Sequence, residues 1–60
     1  MDHALFVSLK INDRIEIKEV GDVWIRGTIA EQIGENFMVN RDDGLGYTRI
    51  DFMSDVRRIA

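Results

Sequence analysis

Three consecutive segments of this chain alternate apolar with polar residues: Asp13-Arg14-Ile15-Glu16-Ile17-Lys18, Val23-Trp24-Ile25-Arg26-Gly27-Thr28-Ile29 and Phe37-Met38-Val39-Asn40-Arg41-Asp42-Asp43. A period of two sends successive side chains to opposite faces of a strand, so each segment reads as a strand with one buried face. Three such strands in a row leave room for little but a tiny all-β barrel. The pattern speaks to the fold and names no substrate or reaction.

The chain has 60 residues and no cysteine. A domain of this size removes only about 60% of its unfolded surface from water, so its core is small and no disulfide or thiolate metal site supplements it. Self-association is a remaining way to bury more surface. The single histidine, His3, would leave any metal site to carboxylates alone, so neither a metal nor a cofactor is expected. No apolar run approaches the roughly 20 residues of a membrane span, and the N-terminus lacks the basic start and long apolar stretch of a signal peptide. A soluble, cytoplasmic protein is the expectation. With 11 acidic against 8 basic residues, the net charge of -3 argues against sequence-independent clamping of nucleic-acid phosphates, although a local basic patch stays open.

Turn chemistry divides the chain into one domain, with residues 1–10 as an N-terminal extension and 11–60 as the barrel. For the extension, a helical turn from His3 to Leu9 behind a cap at Asp2 and an extended run from Leu5 to Leu9 both fit, with the extended or irregular form favoured. Ile11-Asn12-Asp13-Arg14 reads as a turn entering strand 14–19. Gly21-Asp22 reads as a tight hairpin turn into a long strand, 23–32, in which Gly27 marks a bend, a bulge or a close backbone approach. Gly34-Glu35-Asn36 turns into strand 37–41, and residues 42–46 into strand 47–52. Met53-Ser54-Asp55 reads as a single helical or 3₁₀ turn before a closing strand, 56–59. Strand parity points Ile15, Ile17, Val23, Ile25, Ile29, Phe37, Val39, Ile50, Val56 and Ile59 inward, and Trp24, Arg26 and Thr28 outward.

The strand order, Trp24 followed by Gly27, the Asp42-Asp43-Gly44 turn and the Met53-Ser54-Asp55-Val56 turn together resemble the SH3-like and Tudor-like small β-barrels, over residues 9–60. That resemblance implies a five-stranded SH3-like barrel with a short 3₁₀ turn before the last strand. Trp24 resembles one aromatic of a Tudor cage, but the positions near Lys18, Asn40 and Asp43 that would complete the cage are not aromatic. It also resembles the first tryptophan of the paired element of peptide-binding SH3 domains, yet Ile25 follows it and the chain has no proline. The run from Val20 to Ile29 resembles the second-strand pattern of Sm-like RNA-binding proteins, with residues 36–39 where bases would stack, while residues 50–59 match the second Sm motif poorly. The tail from Val39 is similar to the small-barrel, trimethoprim-resistant dihydrofolate reductases. Their Val-Gln-Ile-Tyr stretch falls on Thr48-Arg49-Ile50-Asp51, which retains only the isoleucine, so that activity is not expected.

Trp24, Arg26, Tyr47 and Arg49 are the candidate partner-binding residues, because Trp, Tyr and Arg are the types enriched at binding hot spots. The bland alternative is that Trp24 covers an open end of the barrel. Phe6, Met38, Phe52 and Met53, with Leu5, form a candidate homo-oligomeric interface, unless the N-terminal segment folds across the barrel and covers them. Asp42-Asp43 reads as a solvated turn rather than a catalytic or cation-binding pair, and Asp55 as a cap or as the partner of Arg57 or Arg58. No catalytic residue is nominated. The expectation is a non-catalytic module that binds a protein or its own copies; a nucleic-acid-binding module and a subunit of a pore-type oligomeric enzyme are the alternatives.

Overall fold

The computed structural model describes residues 2–59, as one helix and five strands in the order α1 (His3–Ser8), β1 (Arg14–Glu19), β2 (Val23–Ile33), β3 (Asn36–Arg41), β4 (Tyr47–Ile50) and β5 (Val56–Arg58). The strands make one antiparallel sheet in the order β4-β3-β2-β1-β5. No ladder joins β4 to β5, so the sheet is open and these two short strands are its edges.

Parity sets the core. Ile15, Ile17, Ile29, Phe37, Val39, Ile50 and Val56 are buried on one face, hereafter the inner face, and Leu9 joins them from the segment before β1. Three of the residues expected inside are less covered. Val23 is 51% exposed because it closes the β1–β2 hairpin opposite Glu19, beyond the reach of the core, and Ile25 and Ile59 are half-buried.

Gly27 is a site of close approach. It lies opposite Arg41 in the β2–β3 ladder, and a Cβ there would stand 2.5 Å from Val39 Cγ1 and 2.8 Å from the Asn40 carbonyl oxygen. The bulge falls three residues later, where the register shifts between Ile29 and Glu31. Because Gly27 presents no side chain, Arg41 reaches over β2 to Glu19 on β1, at 2.7 Å. A link between strands two apart on the inner face is a mark of a strongly curled sheet.

The N-terminal segment corrects the extended expectation: it is helical. Asp2 caps α1 by accepting from the Ala4 N–H at 3.4 Å, and its carbonyl accepts from Phe6 N–H at 3.0 Å. The physical reason is side-chain placement. A strand would put Val7 on the same face as Leu5 and Leu9 and turn Phe6 away; the helix packs Leu5 and Phe6 against the core and leaves Val7 65% exposed. The connection before β5 is a single turn closed by one bond between residues three apart. Ser54 N–H donates to the Asp51 carbonyl at 3.1 Å, and the Asp51 carboxylate accepts from Met53 N–H at 2.8 Å, an aspartate-driven turn.

The exposed area is 4030 Å². Surface scaling gives about 4,000 Å² for a folded monomer of this mass, so the fold covers itself as well as a single chain of its size does.

Candidate functional site

The outer face carries most of the polar side chains. Across three strands, Arg26, Glu16 and Arg57 are direct neighbours, since Glu16 opposes Arg26 on β2 and Arg57 on β5. Arg57 Nε lies 2.9 Å from one Glu16 carboxylate oxygen and Arg26 Nε 3.7 Å from the other. Arg57 also lies over the Trp24 ring, 3.9 Å from its centroid, within cation–π range. Trp24 therefore points outward, as parity requires, and lies half-buried beneath an arginine whose own charge is matched by Glu16.

Tyr47 and Arg49 lie on the same face but belong to another patch. Tyr47 opposes Asn40 and Arg49 opposes Met38, so β3 stands between them and β2. Trp24 is four residues along β2 from Thr28, the residue level with Asn40 and Tyr47. With about 3.3 Å per residue along a strand and about 4.8 Å between strands, Trp24 and Tyr47 are roughly 16 Å apart. Arg49 engages Asn36: with the amide turned to present its oxygen, Asn36 accepts from Arg49 Nη2 at 2.8 Å.

The acidic turn after β3 is ion-paired rather than merely solvated. Arg14 holds both Asp42 oxygens and also donates to Thr28 Oγ1 at 2.9 Å. Arg41 holds Asp43 at 2.7 Å, and the Asp43 carboxylate also accepts from Leu45 N–H at 3.1 Å. Hydrogen bonding by Arg14 keeps the Asp42 carboxyl below the ordinary range, and Arg41, helped by the Leu45 amide, does the same for Asp43. The two guanidinium groups are correspondingly raised, Arg14 by Asp42 and Arg41 by Asp43 and then Glu19. Asp55 contributes its carbonyl to Lys18 N–H at 2.9 Å, and neither neighbouring arginine takes its carboxylate. Arg57 goes to Glu16, and Arg58 goes to Ser8 Oγ at 2.8 Å and Asp13 at 3.5 Å.

The inner face has a second character at its α1 end. The helix covers only part of the core there and leaves an open groove of about 500 Å³ between α1, the β2–β3 hairpin and the β4–β5 turn. Phe6, Val7, Leu9, Phe37 and Phe52 give it apolar walls, and His3, Gln32 and Glu35 supply the polar ones. Phe6 is the hub: its ring meets Phe37 edge-on at 5.4 Å and Phe52 at 5.9 Å, while His3 lies 5.7 Å from Phe52. Phe52 is 42% exposed and Met53 beside it 80%. Of the four residues singled out as an interface, Phe6, Phe52 and Met53 thus gather at this end, whereas Met38 lies on the outer face beside Arg49. Phe6 of the helix packs on Phe37, which is the self-covering alternative in part. His3, Leu9 and Gln32 were not legible as neighbours of this site; the signal for the first two was the Asp2 cap, which converts residues 3–9 from an alternating to a helical pattern.

Among the described residues no cluster of three or more His, Cys, Asp or Glu is arranged to hold a metal, and no helix is long and apolar enough to cross a membrane. The chain matches no family model, no curated protein and no solved structure.

Proposed function

We propose that this chain is an open SH3-like barrel that works as a non-catalytic binding module for another protein, with the groove beside α1 as its docking surface. The strand order β4-β3-β2-β1-β5, with a tight turn before β5, supports the SH3-like reading. The observation that carries the functional one is the contrast between the two faces. On the outer face Trp24 is covered by Arg57, and Arg14, Arg26 and Arg57 each have a carboxylate partner. The groove gathers half-buried Phe6 and exposed Phe52 over buried Phe37 in a concavity of the size that small ligands and anchor side chains occupy, whereas the exposed Tyr47 of the outer face stands apart from Trp24. Charge favours protein over nucleic acid: among the described residues only Lys10 and Arg49 are cations without an ion-pair partner, and they do not form a stripe.

The test is site-specific photo-crosslinking in cells, with the photoreactive residue at Val7 in the groove wall or at Lys18 beside Trp24. The reading expects a discrete protein adduct from Val7 that Phe52→Asp abolishes, and none from Lys18. Adducts from Lys18 alone would move the binding surface to the outer face and defeat the assignment of the groove.

A further inference from the structure

Two acids without an ion-pair partner among the described residues, Glu31 and Glu35, belong to the β2–β3 hairpin that borders the groove. Among the described residues, six of the eight cations are in ion pairs, and they engage six of the eleven acids. Left over are five acids, Asp2, Glu31, Glu35, Asp51 and Asp55, against Lys10 and Arg49, a difference equal to the whole formal charge of -3. Glu35 lines the groove, and Asp2, Glu31 and Asp51 each immediately precede a residue that does: His3, Gln32 and Phe52. Of these acids, Glu35 stands in the groove wall and Glu31 on the opposite face of the strand that borders it.

The groove also borders an unused strand edge. The β1–β2 ladder ends at Arg14 opposite Thr28, with two further backbone bonds at Ile29, so residues 30–33 pair with β3 alone. Ile33 and Asn36 flank the two-residue turn Gly34-Glu35, in which Gly34 has φ +59, as the first central residue of a type II′ hairpin requires. The flanking pair of such a hairpin exchanges both of its backbone hydrogen bonds. By the alternation of an antiparallel ladder, the N–H and C=O of Gln32 then face away from β3. Gln32 opposes Phe37, so a residue set beside it on a new strand shares their face and enters the groove. The residues before and after it fall on the opposite face, which carries Glu31.

We propose that the partner is an extended segment of another protein in which apolar and basic residues alternate, and that it adds to β2 as a strand along residues 30–33. The apolar side chain beside Gln32 enters the groove, and its Lys or Arg neighbours, on the opposite face, meet Glu31 next to the Gly34-Glu35 turn. Main-chain bonds along the edge supply affinity, and the groove on one face and Glu31 on the other supply selectivity. A second copy of this chain is a poor occupant, because pairing two β2 edges would bring the same uncompensated acids together. The inference rests on the reading of the chain as a protein-binding module.

Three synthetic heptapeptides test it against the full, ¹⁵N-labelled chain. One alternates lysine with valine around a central leucine, one replaces every lysine with glutamate, and one carries the lysines but an N-methylated central leucine. The basic peptide is expected to shift the amides of residues 30–33 and Phe52, to slow hydrogen exchange at the Gln32 amide, and to bind at least tenfold more tightly than either of the others. Its affinity falls with added salt and falls at least threefold in Glu31→Gln/Glu35→Gln, which preserves the fold because both side chains are exposed. Equal binding of the acidic peptide overturns the charge argument, and equal binding of the N-methylated peptide overturns strand addition. If millimolar basic peptide shifts nothing while Val7 still crosslinks to a protein, this inference fails and the module reading stands; if both experiments are blank, both fail.

Discussion

Gly27→Ala puts the curl of the sheet to a quantitative test. The added Cβ meets Val39 Cγ1 at 2.5 Å and the Asn40 carbonyl oxygen at 2.8 Å, so the substitution forces a packed side chain and a backbone group to move. The backbone at Gly27 has no positive φ, and alanine adopts it without strain. Over-packing of this kind costs about 1–3 kcal/mol. The upper part of that range applies because one obstructing atom belongs to the β3 backbone, which the ladders on both sides restrain. Reduced freedom of the unfolded chain returns about 0.4–1 kcal/mol, leaving a net loss of about 2 kcal/mol. A 60-residue domain has a total stability of about 3–9 kcal/mol, and an unfolding entropy near 2.1 cal/mol/K per residue turns the loss into a fall in Tm of about 15 °C. Urea unfolding followed by far-ultraviolet circular dichroism and by the fluorescence of Trp24, the sole tryptophan, measures it. Val39→Ala removes the nearer obstruction at the cost of a fully buried side chain. The double variant is therefore expected to be at least about 0.5 kcal/mol more stable than the two single losses sum to. A Gly27→Ala protein within about 0.5 kcal/mol of the parent, or a strictly additive cycle, refutes the close approach.

Three other perturbations probe parts of the molecule separately. Arg57→Ala uncovers Trp24 and is expected to lower stability by about 0.5–1 kcal/mol and to change the tryptophan emission, whereas Lys18→Ala, whose ammonium is paired with exposed Asp22, leaves the emission as it was. Asp42 and Asp43 have folded pKa values below their unfolded ones, so their contribution is fully present above about pH 4 and is lost as pH falls through the depressed values. Unfolding titrations between pH 5 and pH 2 are expected to show a shallower acid loss in Asp43→Asn than in the parent. Asp2→Ala removes the α1 cap and is expected to cost about 0.5–1 kcal/mol, with hydrogen exchange accelerated at Phe6 and Leu9 and unchanged in β2 and β3.

The positions of all five strands were legible, because alternation and turn residues are local properties. β1 is bounded as its pattern indicates, and the others differ by one or two residues at an end. The outward placement of Trp24 followed from the same parity. What sits on Trp24 did not: Arg57 is 33 residues away in sequence and arrives only because β5 pairs with β1, next to β2. Asp55 lacks an arginine for the same reason, since the arginines near it in sequence are drawn to Glu16 and Asp13 across the sheet. The helical form of residues 3–8 also turned on tertiary contact. Residues 2–9 satisfy two local patterns, and a six-residue helix has too few internal bonds to decide between them; the Phe6–Phe37 contact does.

By itself, then, the sequence determined the class of the fold, its turns and the two faces of each strand, all of which depend on residue types and a period of two. The tertiary structure alone decided which outward groups neutralise one another, where the inner face remains uncovered and which of the described acids are left without an ion-pair partner. Those are properties of juxtaposition: sheet order sets which side chains are neighbours, and the placement of a short helix sets how much of the core meets water.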